Sequence, residues 1–148
     1  MFTEIVIASD LSPASLGALR TGLELGSRER ARVTVVHVLP PWHEARHWLA
    51  PVYEDELRVQ RTLVKREQEA ALDRLKAQVR QALAELGASF DARATVLIGH
   101  APDTIAQLAA DERADLVVVG TQGRRESLGS VAERVVRIAG RPVLVVPA

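Results

Sequence analysis

The segment from Asp115 to Ala148, DLVVVGTQGRRESLGSVAERVVRIAGRPVLVVPA, sets Gly120, Gly123, Gly129 and Ser130 between two apolar runs. Small residues at the carboxyl end of a buried strand expose backbone N–H groups, and a helix opening on Gly129-Ser130 adds its positive end. The chemistry this spacing offers is anion binding, and phosphate above all. The Ser130 hydroxyl and the neighbouring N–H groups can donate to phosphate oxygens, with charge-assisted bonds contributing about 1.5–3 kcal/mol each. Asp10, at the end of the first apolar run, is the second candidate. Its carboxylate can accept from ribose hydroxyls or help to hold a metal on phosphates; equally, Asp10 and Ser12 can serve only to cap the first helix.

Other constellations are weaker. His43-Glu44-Ala45-Arg46-His47 matches the H-E-x-x-H zinc-protease pattern, but prolines at 40, 41 and 51 confine it to a short piece. No third ligand is obvious beyond Glu67 or Glu69, so a surface loop is the default and metal binding is not expected. Ser127 stands in Arg125-Glu126-Ser127-Leu128-Gly129, where a nucleophile elbow would need glycine in place of Arg125. His37 falls within an apolar strand pattern and reads as a hydrogen-bonded core residue, while His100 follows a strand and reads as exposed. No catalytic triad emerges, and Gly129-Ser130 lacks the lysine of a P-loop.

Composition narrows the class. Nineteen basic residues balance nineteen acidic ones, and aromatics make up only 3% of the chain. Nucleic-acid binding needs surplus cationic charge and stacking surfaces, so it is not expected. Cysteine is absent, which removes disulfides and thiolate chemistry and fits a reducing cytoplasm. No apolar run approaches the roughly 20 residues of a membrane helix and no leader pattern is apparent, so a cytoplasmic protein without membrane contact is expected. The 148 residues suit one domain, 1–148.

Four runs rich in Val or Ile, Ile5–Ala8, Val33–Leu39, Leu116–Val119 and Val143–Val146, read as strands buried on both faces. Phe90–Ile98 alternates with polar residues and reads as a strand near a sheet edge. Between them lie helical patterns. Ser12 and Pro13 open the first, whose Leu16, Leu19 and Leu23 share a face and which stops near Gly26. A long charged helix spans about Glu54 to Leu86 and ends at Gly87. Two more follow over Pro102–Asp111 and Ser130–Ala139. Alternation of this kind predicts an α/β fold, an open five-stranded, mostly parallel Rossmann-like sheet of order 3-2-1-4-5 with helices on both faces. The ligand crevice then lies between strands 1 and 4, where Asp10 opposes the Gly120–Gly123 loop. Pro40 to Pro51, with Trp42, Trp48 and nearby Tyr53, is the one shift in composition and is expected to be a loop.

Over essentially its whole length the chain resembles the universal stress proteins. The resemblance rests on EIVIASDLSPAS, VTVVHVL, VLIGHAPDTI, ADLVVVGTQG and LGSVAERVVRIAGRPVLVV. It implies the same five-stranded fold, a homodimer through the last strand, and in many members an ATP site built on Gly, two residues, Gly, nine residues, then Gly with Ser or Thr. Carried onto this chain, Asp10 falls near ribose and phosphates, Val38 meets adenine through its backbone, and Gly120, Gly123, Gly129, Ser130 and Val131 surround the phosphates and ribose. The chain departs from the pattern in one respect: only five residues, Arg124 to Leu128, separate Gly123 from Gly129. A segment four residues shorter cannot follow the same path, although Arg124 and Arg125 can offer guanidinium forks to phosphate oxygens; otherwise they are solvated charges.

The expectation is therefore a dimeric stress-response regulator, not an enzyme, with a cleft for ATP or AMP, with or without magnesium. The alternative is an interaction module of the same family without a nucleotide. Slow ATP hydrolysis would need a base, and Asp10 is the candidate.

Overall fold

The computed structural model describes residues 1–41, 54–121 and 129–148. Strand β1 (Glu4–Ala8) leads through a 3-10 turn at Pro13–Ser15 into helix α1 (Leu16–Glu29), and β2 (Arg32–Leu39) follows. Then come α2 (Glu54–Leu86), β3 (Ala92–Ile98), α3 (Ala101–Asp111), β4 (Leu116–Gly120), α4 (Ser130–Ile138) and β5 (Val143–Val146). The five strands form one sheet of order β3-β2-β1-β4-β5, and every pairing is parallel. The expected order and edge position of β3 hold.

Side chains alternate across the sheet and divide the core in two. Ile5, Ile7, Val33, Val35 and Val118 face α1 and α2, where Leu19, Leu23, Leu75 and Val79 meet them. Val6, Val36, Val117 and Val119 face α3 and α4, against Ile105, Leu108, Ala109 and Val135. Strands buried on both faces carry no polar alternation, which is why β1 and β4 read as continuous apolar runs. The chain winds outward from β1 to β3, then crosses back to β4 and on to β5. Right-handed crossovers in opposite directions put α1 and α2 on one face and α3 and α4 on the other.

Three boundaries differ from the sequence reading. Helix α1 does not stop at Gly26 but runs to Glu29, where Arg30 takes the left-handed conformation (φ 54°). Gly26 serves a different purpose: a Cβ there would lie 2.4 Å from Val33 Cγ2, and one at Gly22 would lie 2.5 Å from Ile7 Cδ1. These glycines let α1 approach the sheet closely. Strand β3 starts at Ala92, leaving Phe90 outside the ladder but packed against the core on the α1 and α2 face. Ser12 precedes the 3-10 turn with an extended backbone, but its hydroxyl makes no cap bond.

Candidate functional site

Where the winding reverses, β1 and β4 part at their carboxyl ends and open a cleft. Ala8, Ser9 and Asp10 leave β1 along one wall, and Val119 and Gly120 end β4 along the other. Val36, His37 and Val38 from β2 and Ile105 from α3 line its depth, and Val131 of α4 lines it too. The free space is about 590 Å³ with the open mouth included. The lining is largely aliphatic, with polar groups concentrated on the β1 side. Such a surface can take a flat apolar ring while presenting hydroxyl and carboxylate groups to a polar ligand.

Three amino-terminal turns converge here: the Pro13–Ser15 turn through Ala14 and Ser15, α3 through Ala101, and α4 through Val131. None of the three cap residues makes a side-chain cap bond. At α4, Gly129 takes φ 80° and ψ 154°, a backbone open to glycine, and no described side chain caps the helix. The first helical bond runs from Glu133 N–H to Gly129 O. The N–H groups of Ser130, Val131 and Ala132 therefore have no intrahelical acceptor, which is the arrangement that receives anions.

Of the sequence candidates, the structure brings Asp10, Val38, Gly120 and Val131 together as cleft lining. Gly129 and Ser130 stand at the start of α4 beside Val131. Gly123 and Arg124 lie outside the described residues, as do Trp42, His43, His47, Trp48, Tyr53 and Ser127. Both readings of Asp10 meet in one side chain. Its Oδ1 accepts the Ser12 N–H at 2.9 Å and the Ser12 hydroxyl, ordering the turn. No described residue donates to Oδ2, and the side chain also lines the cleft.

His37 corrects its sequence reading. It is hydrogen-bonded, with Nδ1 donating to Ser9 O at 2.8 Å, but it sits half-buried at the end of β2 and lines the cleft instead of the core. His100 is exposed and its Nδ1 bonds Asp103 Oδ2 at 2.6 Å, on the first turn of α3. Sequence reasoning passed over Ser9 and Ser15, whose hydroxyls lie 3.1 Å apart in the buried turn. The only signal for them was their place on either side of Asp10 and Pro13. Beyond β4, the buried Thr121 accepts the Ala148 N–H at 3.3 Å, so the end of the chain grips the start of the glycine loop. Among the described residues no cluster of three or more His, Asp or Glu could hold a metal, and no helix is long and apolar enough to cross a membrane.

A doubly wound parallel sheet with a cleft at its winding reversal defines an α/β binding fold. Within that class, the chain belongs to the universal stress protein family, whose profile matches residues 1–147. A universal stress protein of Methanocaldococcus jannaschii is 31% identical over 150 residues, covering 99% of this chain and 82% of that one. A universal stress protein solved in complex with cAMP shares the fold at a TM-score of 0.69 and 21% identity, covering 99% of this chain and 97% of the other. A family protein from Arabidopsis thaliana with AMP bound gives a TM-score of 0.62 at 22% identity, with 98% and 91% covered.

Proposed function

We propose that this chain holds an adenine nucleotide in the cleft between β1 and β4 and acts in the stress response as a homodimer in the cytoplasm, through occupancy and not turnover. The observation that carries the reading is the start of α4, whose first N–H groups have no intrahelical acceptor, beside an aliphatic slot with Asp10 on the facing wall. The slot suits a purine. The free N–H groups of α4 suit a phosphate, and Asp10 Oδ2 suits ribose hydroxyls or a phosphate-bound magnesium. In this reading Val38 meets the base through its backbone, and Gly120, Gly123, Gly129, Ser130 and Val131 surround sugar and phosphate. The solved relatives carrying cAMP and AMP favour a monophosphate. The shortened span between Gly123 and Gly129 agrees with AMP, and in this reading the Arg124 guanidinium serves the further phosphates if ATP enters.

The test is thermal unfolding with millimolar AMP, and separately ATP with magnesium. A ligand that binds only the native state adds RT ln(1 + [L]/Kd), about 2.7 kcal/mol at a hundredfold excess over Kd. A rise of several degrees with AMP is expected. No shift with either nucleotide overturns the reading in favour of an interaction module without a ligand.

A further inference from the structure

Asp10 stands on the cleft wall between two residues with well-anchored backbones. Ser9, immediately before it, is held at three points. Its N–H donates to Val36 O at 2.9 Å, its carbonyl accepts from His37 Nδ1 at 2.8 Å, and its hydroxyl donates to Gln78 Oε1 at 2.7 Å. The same Ser9 oxygen accepts the Leu11 N–H at 3.1 Å. Leu11, immediately after Asp10, takes φ 65°, a left-handed conformation that side chains other than glycine rarely adopt. Both neighbours of Asp10 are thus fixed by one hydroxyl, and that hydroxyl is aimed by Gln78. Gln78 comes from α2, 69 positions along the chain, and faces a groove on the far side of the turn formed with Leu11, Pro13 and Leu16.

We propose that Gln78, acting through Ser9, is a positioning residue that points the Asp10 carboxylate into the cleft, with His37 fixing the same turn from the sheet. The inference rests on the nucleotide reading above. Without the Gln78 acceptor no described side chain of α2 pins the Ser9 hydroxyl, and rotation about its χ1 carries Oγ away from its present position. The Leu11 N–H then loses its fixed acceptor, the left-handed residue relaxes, and Asp10 turns with it. A carboxylate at position 78 keeps the acceptor; a thioether of similar length removes it.

The experiment compares Gln78→Met and Gln78→Glu, each alone and combined with Asp10→Ala. The readouts are AMP affinity by calorimetry and amide hydrogen exchange at Leu11 and Ser12. Gln78→Met is expected to weaken AMP about fivefold, as loss of one net hydrogen bond implies, and to speed exchange at both amides. Gln78→Glu restores both, and in the Asp10→Ala background Gln78→Met has no further effect on affinity. Equal weakening with and without Asp10, no rescue by Gln78→Glu, or unchanged exchange overturns the positioning role. A wild-type protein that binds no AMP overturns the nucleotide reading instead, and exchange at Leu11 and Ser12 still decides whether Gln78 sets the turn.

Discussion

At the opposite end of the sheet from the cleft, Asp115 joins the starts of β1 and β4. Its Oδ2 accepts the Thr3 N–H at 2.8 Å and the Thr3 hydroxyl at 3.0 Å, and its Oδ1 accepts the Glu4 N–H at 3.1 Å. Its own N–H donates to Glu4 O, completing the clasp. Burial works to raise the carboxyl's pKa, but the donors on Thr3 and Glu4 outweigh it and hold the group below the usual carboxylate value. Because the folded value lies below the unfolded one, the contribution is complete above the unfolded pKa and disappears as pH falls through the folded one. Asp115→Asn should lower stability at neutral pH by about 1 kcal/mol and flatten the decline below about pH 4. Chemical denaturation at several pH values measures both effects, and an unchanged acid slope would refute the assignment.

Helix α1 shows how far pattern reading reaches among the elements. Leu16, Leu19 and Leu23 announce the helix and its buried face, because a period of 3.6 is written in side-chain type. Its end is less legible, because Gly26 resembles a stop signal while its use, contact with Val33, depends on a residue outside the helix. Gly22 allows a decisive test. Alanine is favoured over glycine inside a helix by about 1 kcal/mol. The new methyl would meet Ile7 Cδ1 at 2.5 Å and Cγ1 at 2.7 Å, and Ile7 is fully buried in the core. Overpacking costs about 1–3 kcal/mol and should prevail, so Gly22→Ala is expected to lower the melting temperature. Gly17→Ala meets nothing nearer than 3.7 Å and should be neutral or stabilising. If both variants melt alike, the close seating of α1 is wrong. The candidate site divides similarly. The place of Asp10 and Gly120 at the ends of apolar runs, which line the cleft, is legible, whereas Ser9, Ser15 and Gln78 are not, since hydrogen bonds between distant segments leave no periodic trace.

For the molecule as a whole, the sheet has two different margins. Strands β3 and β5 each have one neighbour and no described strand on the other side, but β3 carries Arg93 and Thr95 whereas β5, Val143–Val146, is apolar throughout. An apolar strand with an unpaired edge invites a partner, so the proposed homodimer should pair β5 with its mate. Sedimentation at micromolar concentration is expected to give twice the chain mass, and a monomer would contradict this assembly. The order of the five strands could be anticipated because handedness and alternation leave few arrangements open. Assembly is less legible, since an apolar strand looks much the same in sequence whether its neighbour is its own chain or another.

Thr121 gives β4 a double duty. On one flank the strand borders the hollow where a phosphate would rest; on the other it carries the outermost rung, with Ala148 tied back to its exit. Neighbouring strands lie about 4.8 Å apart, so in the proposed nucleotide-bound homodimer a single ladder would stand between the ligand and the β5 edge.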